Sequence, residues 1–368
     1  MRNKGKKVIV GLSGGVDSSV SLLLLKKAGY EPIGVSFKYA VWQNEKNRLK
    51  ENICCSEESF IIAGEICRRL GVRHQIIDEE INFRDKVIGY FLDVLKDKKT
   101  PNPCLICNRL VKFEKLIEVA KKEKADYIAT GHYARVREGK DGTVQLLKGK
   151  DKKKDQSYFL ALLEQKHLRR IIFPLGNYTK EKVYQIAEKE GLEFFRKTKQ
   201  SQDLCFVAGK SIPFYLKEEL GFEPGEIVDS EERVLGKHRG LYFYTVGQRK
   251  GINLAQGPWW VAGLDKAKNR LIVTKKEDDP ILFKKEVFLA DYNFISGVSP
   301  ALPMFIMAKT RYNQKLSRAK ICLQEEKGQS PFLKLVFSRA QKAVTPGQWA
   351  VFYSGDICLG GGVIESAK

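Results

Sequence analysis

The chain has 368 residues, more than a single hydrophobic core usually supports, so two or three domains are expected. Hydrophobic residues make up 43% and charged residues 30%, which excludes a wholly disordered chain. Lys and Arg number 65 against 44 Asp and Glu, and the formal net charge of +21 indicates a polyanionic partner. Nucleic acid is favoured over an anionic membrane surface or a surface charged only for solubility.

The compartment follows from the amino terminus and the cysteines. The first residues include several lysines but only a short apolar run, and no stretch reaches the roughly 20 apolar residues that cross a bilayer. Eight cysteines in a long chain of this kind favour thiols, metal ligands or a catalytic dithiol over structural disulfides. We therefore expect a cytoplasmic protein with no membrane partner.

The first half of the chain alternates between apolar strands and helices. Residues 7–12 form an apolar run that leads through a Gly-rich turn into an apolar helix at 18–27. Further strands are predicted at residues 32–37, 74–77 and 126–130, and further helices near residues 57–70, 83–95 and 108–123. This alternation predicts an α/β fold with a doubly wound parallel sheet, whose ligand site lies at the carboxyl ends of the strands.

The turn after the first strand reads Ser-Gly-Gly-Val-Asp-Ser-Ser at residues 13–19. Backbone N–H groups and the positive end of the following helix can hold an anion there, and the two glycines allow the backbone to approach phosphate oxygens. The hydroxyls of Ser13, Ser18 and Ser19 are expected to add donors. The loop is neither a Walker A loop nor a dinucleotide fingerprint. A Gly-Ser turn that only caps a helix is the alternative.

This loop resembles the PP-loop of the N-type ATP pyrophosphatases. In that superfamily the loop grips the β and γ phosphates as a leaving group, and a carbonyl oxygen of the substrate attacks the α phosphate. The segment Ala-Thr-Gly-His-Tyr at residues 129–133 ends a later strand and is expected to face the same crevice.

Two cysteines lie three residues apart in Thr-Pro-Asn-Pro-Cys-Leu-Ile-Cys-Asn, residues 100–108. The prolines stiffen the approach, and a position just before a predicted amphipathic helix would lower a thiol pKa. This pattern indicates a nucleophile. Half of a zinc site is the alternative, although the adjacent Cys54 and Cys55 are a poor complement to Cys104 and Cys107.

Cys205 lies alone where the α/β pattern ends. Such a cysteine is usually inert core, but replacing a base oxygen by sulfur needs one cysteine to carry the sulfur and a second to release it. Cys107 and Cys205 would meet that need if the fold brings them together. We assign the remaining thiols to packing: Cys67, Cys322 and Cys358.

After about residue 203, Gly and Pro punctuate short runs rich in Val, Ile, Tyr and Phe. These runs predict antiparallel strands, first at 241–246, 259–263 and 270–274, then at 305–310, 320–323, 333–337 and 349–353. The second set suggests a closed barrel or a sandwich. The charge run at residues 150–154 is expected to be a solvated loop.

In this order the motifs resemble the bacterial tRNA-specific 2-thiouridylases, also called tRNA-uridine 2-sulfurtransferases. The resemblance covers nearly the full length and is carried by residues 13–19, 100–108, 129–133, 154–160, 204–206, 245–251, 310–312, 345–348 and 358–362. It implies a PP-loop catalytic domain at 1–205, a central β-rich tRNA-binding domain at 206–282 and a C-terminal β-barrel at 283–368.

The resemblance also implies ATP-dependent 2-thiolation of the wobble uridine in tRNAs for Lys, Glu and Gln, giving 2-thiouridine, AMP and pyrophosphate. ATP, with Mg²⁺, would lie over the phosphate loop at Gly11, Leu12, Ser13, Gly14, Gly15, Val16, Asp17 and Ser18, with Phe37 and Gly131 near the adenosine. Cys205 would carry a persulfide from an upstream sulfur-relay protein, and Cys107 would act as the second thiol, leaving a transient disulfide. The implied tRNA contacts are Asn102, Pro103, Cys104, His132, Lys154, Asp155, Gln156, Arg311, Tyr312 and Gln348.

Two residues depart from the family pattern. Cys104 stands where some members have an acidic residue, and Cys104, Cys107 and Cys205 could instead hold three corners of an iron–sulfur cluster. Phe37 stands where other members often have Met, which is also large and apolar. Two other functions compete with thiolation: adenylation of a small carbonyl substrate followed by amidation, and tRNA binding without catalysis.

Overall fold

A computed structural model describes residues 3–47, 57–192, 204–207, 211–325 and 331–368. Cys54, Cys55 and residues 201–203, which precede Cys205, lie outside the described residues. Within the described ranges, no helix is long and apolar enough to cross a membrane.

The first domain is built on a five-stranded parallel sheet. Its strands are β1 (Lys7–Gly11), β2 (Glu31–Lys38), β3 (His74–Asp78), β4 (Tyr127–Ala129) and β7 (Ile171–Ile172), in the spatial order β3-β2-β1-β4-β7. The central strand β1 is buried on both faces, because Ile9 belongs to one hydrophobic cluster while Val8 and Val10 belong to another. The prediction of a doubly wound parallel sheet is confirmed.

Helices cover both faces of this sheet and continue into the central domain. They are α1 (Val16–Lys27), α2 (Glu57–Arg69), α3 (Glu80–Phe83), α4 (Gly89–Lys96), α5 (Pro103–Cys107), α6 (Phe113–Lys122), α7 (Gln165–Leu168), α8 (Lys180–Lys189) and α9 (Ile212–Leu220). π-helical turns at Arg84–Ile88 and Asn108–Lys112 join α3 to α4 and α5 to α6.

The helix predicted to begin at residue 108 begins five residues earlier. Pro103 starts α5, where a missing N–H costs nothing, and α5 runs through the π-helical turn into α6. Cys107 therefore ends α5 inside a helical segment, and its expected position just before a helix is wrong. Cys104, one residue after Pro103, occupies the first turn instead.

The central domain contains the four-stranded sheet of β8 (Gly225–Val228), β9 (Val234–His238), β10 (Trp260–Asp265) and β11 (Arg270–Thr274), in the order β10-β11-β8-β9. The strand predicted at 241–246 is absent from this sheet, and a 3-10 turn at Leu241–Phe243 takes its place. Leu241 packs in the core of the central domain while Tyr242 packs in a core of the first domain, so the segment bridges two cores.

The C-terminal strands form a closed barrel. They are β12 (Phe283–Phe294), β13 (Met304–Lys309), β14 (Ser317–Gln324), β15 (Phe332–Lys342), β16 (Trp349–Ser354) and β17 (Ile357–Ala367). The order β12-β15-β14-β13-β16-β17 closes through the pairing of β12 with β17, so of the two predicted architectures the barrel is confirmed. Its interior is filled by side chains such as Leu289, Phe337 and Phe352.

A hairpin from the first domain extends the barrel sheet. Its strands are β5 (Ala134–Glu138) and β6 (Val144–Lys148), and β6 pairs with β17 at Leu147–Ile357 and Leu146–Cys358. The hairpin starts directly after the segment at residues 129–133. The sheet edge of the first domain and the barrel are therefore joined by backbone hydrogen bonds.

Candidate active site

The phosphate loop joins β1 to α1. Gly14 has a φ of 69°, and a Cβ at this position would come within 2.5 Å of the Ser59 carbonyl oxygen, so only glycine fits. Gly15 precedes α1 in an extended conformation and, having no side chain, leaves the first N–H groups of the helix uncapped. These N–H groups and the helix dipole form the kind of site that binds a phosphate.

The serine hydroxyls of the loop are turned inward. The Oγ atoms of Ser18 and Ser19 donate to the Gly15 carbonyl oxygen at 2.9 and 3.0 Å, and Ser18 Oγ also accepts from the Ser13 N–H at 3.2 Å. Each hydroxyl has a single hydrogen, which Gly15 receives. The expectation that Ser18 and Ser19 add hydroxyl donors for phosphate is therefore not met in this arrangement, and these hydroxyls stabilise the loop itself.

Asp17, in the first turn of α1, is held by two residues from elsewhere in the fold. Lys180, from the start of α8, donates to both carboxylate oxygens at 2.7 Å, and Tyr133 Oη donates to Oδ1 at 2.8 Å. Burial and the neighbouring Asp17 carboxylate raise the pKa of Tyr133 far above its usual value, so its hydroxyl stays protonated. Lys180 was not predicted, because a lysine near a polar helix start looks like any solvated lysine.

Phe37 and Gly131 flank the phosphate loop at the carboxyl edge of the sheet. Phe37 lies near the end of β2, and Gly131 follows β4, so the two lie on opposite sides of β1. A Cβ at Gly131 would come within 2.8 Å of the Ser18 backbone nitrogen. The expectation that residues 129–133 share the crevice with the phosphate loop is confirmed as a matter of geometry.

The two predicted sulfur-handling cysteines border one hydrophobic cluster, called here the large core, whose members include Phe37, Cys107 and Phe206. Cys107 is 7% exposed within this cluster, and the half-buried Cys205 packs against it. Cys205 lies in the tight turn bridged by Leu204 and Val207, next to Phe206, whose ring contacts Phe91 at 5.3 Å between centroids. The fold thus places both cysteines at the same core.

The other cysteines divide into two kinds. Burial raises the pKa of the Cys67 thiol to about 11 and that of Cys358 to about 12, and both side chains are 1% exposed, which confirms their assignment to packing. Cys322 is half-buried and lies within 3.6 Å of the Lys334 carbonyl oxygen. Its assignment to packing is only partly correct.

Cys104, Cys107 and Cys205 do not fit an iron–sulfur site in this structure. Among the residues that the structure describes, no three His, Cys, Asp or Glu side chains are grouped closely enough to hold a metal ion. Cys104 is exposed while Cys107 is buried at the other end of the short helix α5. The cluster alternative is therefore not supported by the arrangement of these three thiols.

Gln348, an expected tRNA contact, joins the barrel to the loop before α5. Its Nε2 donates to the Pro101 and Thr100 carbonyl oxygens at 2.9 and 3.2 Å. Thr100 N–H in turn donates to the Pro346 carbonyl oxygen at 2.9 Å. A Cβ at Gly347 would come within 2.8 Å of the Thr100 carbonyl oxygen, so the two loops are in direct contact.

Arg311, another expected tRNA contact, is also used between domains. Its Nη2 donates to the Val246 carbonyl oxygen of the central domain at 2.7 Å and to the Thr345 hydroxyl of the barrel. Burial lowers the pKa of Arg311, and its Nε has no hydrogen-bond partner within the described part of the chain. The Tyr312 ring packs against Phe159 in a tilted arrangement with centroids 4.5 Å apart. Internal contacts thus occupy much of the polar surface of this junction.

The segment at residues 150–156 is called here the basic loop. Lys150, Lys152 and Lys153 are exposed, whereas Asp151 and residues 154–156 are half-buried, so the solvated loop expected at 150–154 is only partly exposed. Asp155 Oδ1 accepts from the N–H groups of Gly149 and Ser157 at 3.0 and 3.1 Å. Gln156 Oε1 accepts from the Tyr133 N–H at 3.0 Å. The side chains of Asp155 and Gln156 therefore set the shape of the loop, while the backbone N–H of Lys154 donates to Asp151 at 3.0 Å.

His132 lies between the rings of Phe113 and Phe173, with centroid distances of 5.9 and 6.2 Å. Its Nδ1 is 2.8 Å from the Thr130 hydroxyl. Burial, with a smaller contribution from Lys112, lowers the pKa of His132 to about 3. An RNA contact at His132 would therefore involve a neutral imidazole and not a cation.

Asn102, Pro103 and Cys104 form the N-terminal end of α5. Asn102 is the N-terminal cap of the helix, and Cys104 is exposed beside it, whereas Pro103 is buried. Asn108, at the other end of α5, donates from Nδ2 to the Phe159 carbonyl oxygen at 2.9 Å and is 4% exposed. The Asn102 side chain hydrogen-bonds to the Tyr158 hydroxyl, so both ends of α5 are held, and Cys104 is the exposed side chain of its first turn.

Three family models match consecutive parts of the chain. Residues 6–209 match a tRNA methyl transferase HUP domain, residues 214–275 a tRNA methyl transferase PRC-barrel domain, and residues 284–364 an aminomethyltransferase beta-barrel domain. A crystal structure of a predicted tRNA methyltransferase subunit from Methanocaldococcus jannaschii is 19% identical with a TM-score of 0.31, over 58% of this chain and 88% of that one. That score is too low to support a conclusion.

Curated relatives match over nearly their whole length. The tRNA-specific 2-thiouridylase MnmA of Clostridium perfringens is 40% identical over 365 residues, covering 98% of this chain and 99% of the relative. The protein of the same name from Francisella tularensis subsp. novicida is 40% identical over 367 residues, with the same coverage. Together with the matching family models, these identities show that the chain belongs to the tRNA-specific 2-thiouridylase family of enzymes.

Proposed function

We propose that the chain catalyses ATP-dependent 2-thiolation of the wobble uridine of tRNA. The observation that carries the proposal is a row of contacting rings that runs from the end of β2 to the residue after Cys205. Its centroid distances are 5.9 Å for Phe37–Tyr39, 4.6 Å for Tyr39–Phe83 and 6.1 Å for Phe83–Phe206. Cys107 is buried in the same large core, and Cys205 packs against it. An adenylation site and a pair of thiols at one core are what an oxygen-to-sulfur exchange requires. The names of the full-length relatives favour the same reaction.

The first step activates the base. Uridine O2 attacks the α phosphorus of ATP, a new O–P bond forms, and pyrophosphate leaves with the electron pair of the broken P–O bond. The N–H groups at the start of α1 would hold the β and γ phosphates during this step, since Gly14 and Gly15 let the backbone approach them. The adenylated oxygen then leaves readily as AMP.

The second step transfers sulfur. The terminal sulfur of a persulfide on Cys205 attacks C2 of the adenylated base, the C2–O bond breaks and AMP departs. The Cys107 thiolate then attacks Cys205 Sγ, and the electron pair of the broken S–S bond passes to the transferred sulfur. The products are 2-thiouridine and a Cys107–Cys205 disulfide, which a thiol reductant must return to two thiols. A sulfur-relay protein would reload Cys205 with persulfide sulfur.

Mg²⁺ would enter with the phosphates of ATP. Asp17, the carboxylate of the phosphate loop, is already bonded to Lys180 and Tyr133, and the described residues contain no cluster that could hold a metal ion. A cation bound through phosphate oxygens and water needs no such cluster. Bound in this way, Mg²⁺ would screen the charge of the leaving pyrophosphate.

The RNA would lie against the first turn of α5. Cys104 is exposed there and Asn102 is half-buried, and the net charge of +21 suits a phosphate backbone. The wobble base must leave its loop to reach the carboxyl edge of the parallel sheet beside the phosphate loop, called here the phosphate edge, as in other enzymes that modify a base. Acceptor tRNAs for Lys, Glu and Gln are part of the same proposal.

The decisive experiment is nucleoside mass spectrometry on an unmodified glutamate tRNA after incubation with ATP, a persulfide donor and iron-free protein. We expect 2-thiouridine at the wobble position. The variants Cys107→Ser and Cys205→Ser should abolish thiolation while tRNA affinity changes by less than about two-fold. Cys322→Ser, which changes a half-buried thiol on the barrel, is the matched control and should be fully active.

Other outcomes point to other functions. Thiolation that requires anaerobic iron–sulfur reconstitution would contradict the persulfide route. Pyrophosphate release with a small carbonyl substrate and no RNA would favour the amidating alternative. Tight tRNA binding without any pyrophosphate release would favour an RNA-binding protein that lacks catalysis.

A further inference from the structure

The basic loop is hydrogen-bonded to the backbones of two residues that reach the phosphate loop. Tyr133 N–H donates to Gln156 Oε1 at 3.0 Å, and Gln156 N–H donates to the Tyr133 carbonyl oxygen at 2.9 Å. On the other side of the loop, Lys180 N–H donates to Asp151 Oδ2 at 2.9 Å. Tyr133 and Lys180 are thus both tied to the loop for which RNA contact is proposed.

The side chains of the same two residues hold the phosphate loop. Lys180 Nζ lies 2.7 Å from both oxygens of Asp17, and Tyr133 Oη lies 2.8 Å from Oδ1. The Lys180 side chain is 10% exposed and that of Asp17 is 35% exposed, so water screens the ion pair only in part. Because Asp17 lies in the first turn of α1, its position sets the direction of the N–H groups that face the phosphates.

These contacts form two parallel connections between the loops. One runs from Gln156 through Tyr133 to Asp17, and the other runs from Asp151 through Lys180 to Asp17. Asp17 accepts hydrogen bonds from both Tyr133 and Lys180, so a shift of either backbone moves a partner of the carboxylate. If RNA binds one conformation of the basic loop more tightly than another, it therefore also shifts the conformational equilibrium of the phosphate loop.

Resting on the proposed function, we propose that Tyr133 and Lys180 are positioning residues that make ATP cleavage at the phosphate loop respond to RNA bound at the basic loop. Neither residue needs to touch ATP or RNA for this role. A purely structural role would affect ATP cleavage equally with and without RNA. The coupling role instead changes the ratio of the two rates.

The test measures the release of pyrophosphate by hydrolysis at saturating ATP, with and without a glutamate tRNA whose wobble uridine already carries sulfur at C2, so that water and not uridine O2 is the acceptor in both conditions. Separate titrations give the affinity for a non-hydrolysable ATP analogue without RNA and the affinity for tRNA. Lys180→Met removes the charge, Tyr133→Phe removes one hydroxyl, and Lys180→Arg keeps the charge. Lys182→Met, on the exposed face of α8 where Lys182 contacts Gln185, is the matched control.

We expect RNA to accelerate pyrophosphate release by the unchanged protein, and Lys180→Met and Tyr133→Phe to reduce this acceleration by about ten-fold with both affinities kept within about two-fold. Lys180→Arg should recover most of the acceleration, and Lys182→Met should retain all of it. If Lys180→Met fails to fold, Tyr133→Phe decides the matter.

Three results would overturn the coupling. They are an unchanged acceleration in folded Tyr133→Phe and Lys180→Met, an equal loss of rate with and without RNA, and an unchanged protein that cleaves ATP equally fast in both conditions. An unchanged protein that cleaves no ATP with an unmodified glutamate tRNA contradicts the proposed function instead, so the two failures can be told apart.

Discussion

The phosphate edge and the junction between the domains use their motif residues in opposite ways. At the phosphate edge, Ser18 and Ser19 satisfy their hydroxyls within the loop and leave backbone N–H groups for a ligand. At the junction, the side chains of Arg311 and Gln348 donate hydrogen bonds to backbone carbonyls of other domains. Polar residues of the sequence motifs therefore have different roles in the two regions. At the phosphate edge they leave the backbone free to bind a ligand, and at the junction their side chains hold the domains together.

The largest effect is expected at the phosphate edge, from Gly14→Ala. The new Cβ would meet the Ser59 carbonyl oxygen at 2.5 Å, and the left-handed backbone disfavours alanine, so unfolding should become easier by at least about 2 kcal/mol. Pyrophosphate release should be lost with it. Denaturant unfolding and a pyrophosphate assay measure the two effects.

Gly15→Ala is the matched control for the fold. Its Cβ would come no closer than 3.5 Å to Ser13 Oγ, and its φ is −89°. The free energy of unfolding should therefore stay within about 0.5 kcal/mol of that of the unchanged protein. Equal destabilisation by both substitutions would show that the close approach to Ser59 is not the cause.

His132 gives a pH dependence that separates a neutral contact from a cationic one. Its folded pKa of about 3 lies below the ordinary value of 6.5, so the unfolded state binds the proton first as the pH falls. The contribution of His132 to the free energy of unfolding is fully present above pH 6.5 and declines below it, by about 2 kcal/mol at pH 5. His132→Gln should remove that share of the decline, as measured by urea unfolding at pH 7 and pH 5.

Other histidines supply the comparison for this measurement. Burial lowers the pKa of His74, His167 and His238 as well, so part of the decline should remain in His132→Gln. If the decline is identical in the variant and the unchanged protein, His132 is protonated in the folded state and can contact RNA as a cation.

At the domain junction, Gln348→Leu removes two hydrogen bonds to the loop before α5. We expect a loss of about 1–2 kcal/mol in the free energy of unfolding, because Thr100 and Pro101 lose their partner. Gln324→Leu changes an exposed glutamine on β14 whose side chain donates to the Leu323 carbonyl oxygen, and it should be nearly neutral. Weaker tRNA binding in Gln348→Leu without any loss of stability would mean that Gln348 acts on RNA and not on the assembly.

The smallest effect is expected from Ser19→Ala. Its hydroxyl donates to Gly15 at 3.0 Å within the loop, so its removal should cost about 1 kcal/mol of stability and change the KM for ATP by less than about two-fold. Steady-state pyrophosphate release at varied ATP measures this. A large rise in KM would show that the hydroxyl reaches the phosphates, which would remove the contrast between the two regions.

By itself, the sequence was sufficient for the features that depend on local pattern. The parallel strands β1 to β4 follow from buried apolar runs, and the phosphate loop follows from glycines between a strand and a helix. The barrel strands β13 to β16 follow from short β-rich runs. In the central domain, the strand predicted at 241–246 was wrong because Leu241 and Tyr242 pack in two different cores. Local periodicity cannot show which core a side chain will join.

Only the tertiary structure decided which residues far apart in the sequence hydrogen-bond to one another. Lys180 and Asp17 are 163 positions apart, and Gln348 lies 247 positions from Pro101, so no spacing rule connects them. The pairing of β6 with β17 likewise joins the first domain to the barrel across the sequence. Such contacts arise when packing removes polar groups from water and each must find a partner, which is a property of the assembled fold and not of any segment.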